Sequence, residues 1–297
     1  MSDDQIFWIS LLAKLLLTAG IVVTASVVAE RAGPLVGGLV ATLPVTFGPA
    51  YVFLSLDHDA AYVAIAARNG LAVHAFTGLF TLVYAVLAQS RRLVISMGGA
   101  IGCWIVLALF ARSVEWSLAG AMLLNLIVYP GFIWFGRTMV AAEIPRMVRA
   151  WYELPMRTLL VCALMALLLA TSSWAGPEVT GIIAVYPISS TSLMIILQHR
   201  LGGKAAAAVM TSSLWGLCGV ALGLATLSYL VEQFGAAPAL ATALVVCVGW
   251  SLGVWTFRGR RRRASMRTGA STTIGSSQLS AAKPSPQSRT ARAWRFR

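Results

Sequence analysis

Runs of about twenty apolar residues recur along the chain, set off by short clusters of charged, Gly and Pro positions. Twenty is the length an α-helix needs to cross the hydrocarbon core of a bilayer. The pattern predicts nine spans, at residues 6–29, 35–56, 60–89, 93–111, 114–135, 158–174, 178–198, 205–231 and 239–257. The third is long enough that it must tilt or project. Residues 136–157 form a more polar connection between two membrane portions, 1–135 and 158–258. The final stretch, 259–297, is rich in Ser, Thr, Ala and Arg without an apolar period, and is expected to be disordered. The fold class that follows is an all-α polytopic membrane protein.

One stretch is written twice. AGPLVGGLVATLPVT at 32–46 lies without a gap over AGPEVTGIIAVYPIS at 175–189, an offset of 143 residues. Ala32/Ala175, Gly33/Gly176, Pro34/Pro177, Val36/Val179, Gly38/Gly181, Ala41/Ala184 and Pro44/Pro187 are identical. Apolar bias aligns Val and Ala readily, but two prolines and two glycines in register point to an internal duplication. The two copies open the second and seventh spans, five spans apart. An odd separation turns the second copy upside down, so the expected architecture is two inverted-topology repeats, five spans followed by four.

Composition sharpens the class. With 58% hydrophobic and 11% charged residues, the chain has too little polar surface to cover a soluble globule. The net charge of +13 suggests nucleic acid until the basic residues are located, and ten of the 23 Lys and Arg lie beyond Arg258, in the tail. A basic tail next to a membrane span fits anchoring by anionic lipid, and no nucleic-acid partner is expected. Cys103, Cys162, Cys218 and Cys247 sit singly in apolar segments, as small buried hydrophobes. Asp3 and Asp4 stand where a signal peptide carries basic residues, so the first apolar run is read as an uncleaved span.

The charges also orient the chain. Arg31, Arg91, Arg92, Arg137, Arg146, Arg149, Arg157, Arg200, Lys204 and the tail fall on one side of a nine-span arrangement. Arg112 falls on the other, with Asp57, Asp59, Glu115, Glu178 and Glu232. The positive-inside rule makes the basic side cytoplasmic and the N-terminus external, in a bacterial inner membrane.

Candidate chemistry centres on the duplicated stretch. Pro44 and Pro187 fall near the middle of their spans, where each removes a backbone donor and frees the carbonyl of Val40 or Ile183. Inside a bilayer a freed carbonyl needs protein, a hydroxyl or a water-lined cavity. Thr46 follows the first proline, and Ser189 and Ser190 follow the second. These residues are either packing kinks or the lining of a solute path. Lys14 and Arg68 enter the membrane about 12 Å deep from the outer face, Arg68 close to Asn69 and His74. A buried charge is a functional candidate, and a long basic side chain can instead snorkel to the headgroups. All ten acids lie at span ends, in loops or in the N-terminal segment, so a carrier of anionic or neutral solutes is expected over a cation antiporter. His58, His74 and His199 are scattered, without metal-ligand spacing, and no nucleophile elbow occurs. Neither an enzyme nor a cofactor site is expected.

With Lys14, Gly38, Leu39, Val40 and Pro44 in view, each half resembles the small four-helix inner-membrane proteins of the GlpM type. The resemblance implies a basic residue early in helix one and a glycine-then-proline pattern in helix two. Lys14 precedes Gly38 by 24 residues, and Arg157 precedes Gly181 by the same 24. It covers residues 14–111 and 157–257 and implies a fold more than an activity. In architecture the chain is also similar to the drug/metabolite transporter superfamily, which has two inverted five-helix halves; here one span fewer is expected.

These readings converge on a transporter-like protein whose partners are membrane lipid and a small-molecule solute. The alternative is a non-transporting accessory factor, for example in envelope polysaccharide export. The orientation is directly testable. Reporter fusions after Arg92, at Arg149 and in the tail should report cytoplasm, and fusions near Asp59 or Glu232 should report the outside. An external signal at Arg149 would overturn both orientation and span count.

Overall fold

The computed structural model describes residues 3–31, 47–139 and 151–257. The first copy of the duplicated stretch, with Pro44 and Thr46, the middle of the connection at 140–150 and the tail from 258 lie outside the described residues. The described helices are α1 (Asp3–Arg31), α2 (Phe47–Asp57), α3 (Ala60–Ala88), α4 (Leu93–Arg112), α5 (Leu118–Gly136), α6 (Glu153–Ala184), α7 (Ile188–Leu201), α8 (Gly203–Phe234) and α9 (Ala236–Phe257). A single 3-10 turn, Arg137–Met139, follows α5. The main compact unit is Met1–Leu252, and the second unit, from Gly253, is described only through residues 253–257, in helical conformation.

Seven segments among the described residues are long and apolar enough to cross a membrane, which makes this a polytopic α-helical membrane protein. The expected nine are not recovered one for one, for two reasons. The second expected span is described only in its last part, α2. The sixth and seventh belong to one apolar segment of 49 residues, Glu153–Leu201, interrupted at Gly176 and again at Val185–Pro187. At Gly176 φ is 77°, a left-handed conformation that glycine adopts at little cost. Helix starts also come earlier than apolar runs suggest. α6 begins at Glu153 inside the expected polar connection, and α9 begins at Ala236 with Pro238 in its first turn, where the missing donor costs nothing.

α3 is the centre of the bundle. In its most apolar window 72% of residues are buried, and 56% in α8, against 17% in α1, so α3 and α8 face protein and α1 faces mostly outward. The two central helices run antiparallel along their lengths. Ser228 Oγ donates to Ala64 O at 3.0 Å, His74 Nε2 to Leu217 O at 2.9 Å, and Gly203 abuts Ala88. The end of α6 and α7 after it together run parallel to α3. Tyr62 lies beside Thr180 at one end, Tyr84 Oη donates to Met194 O at 3.1 Å, and Gln198 Nε2 reaches Arg91 O at the other end.

The 143-residue offset of the duplicated stretch reappears in the helices themselves. α3 and α8 begin at Ala60 and Gly203, and α4 and α9 at Leu93 and Ala236, each pair 143 residues apart. His74 and Leu217, which bridge α3 and α8, are separated by the same 143. The positions at this offset from α5, 261–279, lie outside the described residues.

Where apolar side chains gain nothing by leaving lipid, helices associate by close packing, and small residues set the distance. Ala64, Ala66, Ala67, Gly70 and Ala72 give α3 a thin surface. Gly181 uses it: a Cβ there would stand 2.1 Å from Ala66 O, backbone against backbone. Gly181→Ala should therefore destabilise the protein by about 1–3 kcal/mol, the usual cost of overpacking. Gly98→Ala, where a Cβ meets nothing within 4 Å, should be neutral or better. Thermal melting of the purified protein in detergent distinguishes the two, and equal melting temperatures would contradict the close-approach account.

Candidate functional site

The expected proline kink is a complete interruption. α6 ends at Ala184, residues 185–187 are non-helical, and α7 restarts at Ile188 with Pro187 as its N-cap at φ −77° and ψ 55°. Proline lacks the donor that would continue the ladder, and the residue before it avoids the helical region. The carbonyl of Ile183 is nevertheless satisfied, by the N–H of Tyr186 at 3.1 Å in a tight turn.

The break lies at mid-height of the bundle. Val185 is fully buried, with its Cγ1 where a Cβ on Gly70, in the middle of α3, would be 3.0 Å away. Tyr186 packs edge-on against Trp104 of α4, with ring centroids 5.0 Å apart. The restarted helix turns the partial positive end of its dipole to this depth, with the Ile188 N–H donated to Tyr186 O at 2.7 Å. The hydroxyls that follow turn back onto the helix. Thr191 Oγ1 donates to Pro187 O at 2.9 Å and Ser192 Oγ to Ser189 O at 2.8 Å. Ser189 and Ser190 are half-buried.

On α3, His74 is wholly buried at the contact with α8. A carbonyl only accepts, so Nε2 carries the proton donated to Leu217 O, and Nδ1 is left buried without a hydrogen-bond partner. The ring sits between Phe47, edge-on at 6.1 Å, and Tyr129 at 5.8 Å. α5 supports this region: Tyr129 Oη donates to His74 O at 3.1 Å, and Asn125 Nδ2 to Leu71 O at 2.8 Å. Asn69 spends its amide on its own helix, donating to Ile65 O. Arg68 is half-buried, and its Nε is buried without a hydrogen-bond partner.

Lys14 is held in an ion pair. Its ammonium lies 2.5 and 2.6 Å from the two oxygens of Asp57, tying α1 to the end of α2. Side-chain exposures of 16% and 35% make this a partly buried pair rather than a snorkelling cation. A counterpart stands at the offset. Asp57 corresponds to Arg200 at the end of α7, and Arg200 is paired with Glu153 at the start of α6. α1 is thus tied to the end of α2 and α6 to the end of α7, at positions 57 and 200, with the sign of the charges reversed.

Of the residues expected to share a path, the described structure places Pro187 at the helix break with Ser189 and Ser190 just after it, and Arg68, Asn69 and His74 on α3, where the His74 ring lies between Phe47 and Tyr129. Lys14 belongs to the separate ion pair. Sequence reasoning missed Asp57 as the partner of Lys14, and also the cluster at Tyr62, whose hydroxyl donates to Ser172 O at 2.6 Å and lies 2.7 Å from Thr180 Oγ1. Opposite charges at positions 57 and 200, one offset apart, were a signal for the first; the second joins residues more than a hundred positions apart and left none.

An apolar cavity of about 230 Å³ lies between α2, α8 and α9 and is lined by Phe47, Tyr51, Gly223, Leu227, Leu244 and Cys247 among others. Comparison with protein-family models, curated proteins and solved structures gives no match, so a functional reading rests on this geometry.

The ion pair makes a measurable claim. Asp57→Ala strands a mostly buried ammonium and should cost about 2 kcal/mol, between the values for surface and buried pairs. Lys14→Ala combined with Asp57→Ala should be milder than Asp57→Ala alone, because no charge is then left without a partner. Detergent melting of the two variants checks this, and additive losses would show the pair to be uncoupled.

Proposed function

We propose that this membrane protein is a carrier for a small anionic or neutral organic solute, working by alternating access of two inverted halves in a bacterial inner membrane, N-terminus outside. The observation that carries the reading is the interrupted helix at Val185–Pro187. Discontinuous helices at mid-membrane depth are how transporters expose backbone polar groups to a solute, and the N-terminal end of the restarted helix favours negative charge. Three further features support it. α3 and α8, which begin 143 residues apart, run antiparallel, as copies related by an axis in the membrane plane would. Arg68 supplies a cation on the central helix with a buried Nε lacking a partner. His74 holds a lone pair in the same helix.

A second reading, a non-transporting accessory factor, is favoured by one specific observation: the surroundings of the break are filled, with Val185 fully buried and Tyr186 against Trp104. In the carrier reading this is the closed arrangement.

The deciding experiment compares solute uptake and export by cells with and without the protein across a metabolite panel, followed by proteoliposome flux of any solute found. Pro187→Ala restores a helical donor, and Arg68→Ala removes a charge acting in low dielectric. Each should lower flux on the order of tenfold, equivalent to about 1.4 kcal/mol, with insertion intact. Flux that does not depend on the protein for any solute would favour the accessory reading.

A further inference from the structure

The cavity between α2, α8 and α9 owes its existence to three positions. Gly223, Leu227 and Cys247 line it, and at the 143-residue offset they correspond to Phe80, Tyr84 and Trp104. Those three aromatic side chains are buried in the other portion of the bundle, at 0%, 0% and 5% exposure, so what they fill there is left open here. Loss of large side chains from a packed region normally costs several kcal/mol unless something occupies the space.

The wall offers no unspent side-chain donor to an occupant. Of its side-chain polar atoms, the Tyr51 hydroxyl donates to Ala66 O at 3.2 Å and the Cys247 thiol to Gly219 O at 3.3 Å. Every other lining side chain is apolar or absent, from Phe47 and Val52 to Leu240 and Leu244. At about 230 Å³ the space exceeds the roughly 150 Å³ apolar cavity that takes up benzene and stays dry. Its mouth faces sideways. Val52 on α2 and Leu244 on α9 are exposed, whereas Tyr51, Leu227 and Cys247 are buried behind them. α9 is of membrane-spanning length, so the exposed apolar face that it shows beside the mouth is a lipid face.

We propose that this cavity is a binding site for one acyl chain of a bilayer lipid, entering laterally between α2 and α9. The occupant is a hydrocarbon chain because the wall has no unspent side-chain donor for a polar group, and it is a lipid because the mouth opens on the apolar surface. The site goes beyond the carrier reading, since it is distinct from the helix break and holds whether or not a solute is moved.

The test uses the full chain in nanodiscs doped with phosphatidylcholine bearing a diazirine in its acyl chain. After illumination and digestion, adducts on residues 220–227 of α8 should exceed those on the lipid-facing residues 109–110 of α4 several-fold. Ala241→Phe places a ring on the exposed rim of the mouth, and should reduce α8 labelling to the α4 level while α4 labelling is unchanged. Leu244→Trp provides a second plug should the first variant not purify as a monodisperse protein. Equal labelling of α8 and α4 in the unmodified protein, labelling that neither plug lowers, or labelling only by a water-soluble diazirine would each overturn the proposal.

Discussion

Everything in this bundle depends on how closely backbones can approach α3. In water a helix is held by the exclusion of its apolar face, but in a bilayer that gain largely disappears and contact distance decides affinity. Ala66, with the carbonyl of its own peptide touching Gly181 and accepting from Tyr51, is where three elements meet. Ala88 against Gly203 repeats the arrangement at the other end of α3. Bulk at either point would push α6 or α8 outward and, with them, the antiparallel crossing at His74. The polar bonds to helix carbonyls from Asn125, Tyr129, Ser228 and His74 then fix rotation and register, since each has an acceptor only at one height.

Much of the architecture was legible in the sequence, and the reason is physical. A bilayer enforces one length and forbids unsatisfied backbone, so charged and Gly-containing punctuation marks helix ends well. Ala60 and Leu93 start helices where the pattern places them. What was not legible depends on distant partners. Pro187 advertises a missing donor, but whether the chain bends or breaks depends on whether the freed carbonyl of Ile183 finds another N–H, and it finds that of Tyr186. Lys14 reads as a lone cation because its acid lies 43 residues away on another helix. The cavity could not be read from apolar pattern at all. It emerges only when Gly223 and Cys247 are set beside Phe80 and Trp104 at the offset.

The polar residues on α3 differ in what they leave over. Asn69 and Thr81 bond their own helix, and Tyr84 reaches across to Met194 O. His74 spends one nitrogen and keeps the other, and Arg68 keeps its Nε. Buried polar groups are ordinarily satisfied, so the residues that retain unspent atoms are those most open to a second partner.

The pairing of Lys14 with Asp57 has an electrical consequence. A membrane voltage does work on a charge that changes depth, about 2.3 kcal/mol per elementary charge per 100 mV. Lys14 and its carboxylate are in direct contact and sum to zero, so as long as they move together, a displacement of α1 with the end of α2 transfers no net charge across the field. The same holds for Arg200 with Glu153. The two pairs therefore add no net gating charge of their own to a motion of these first helices.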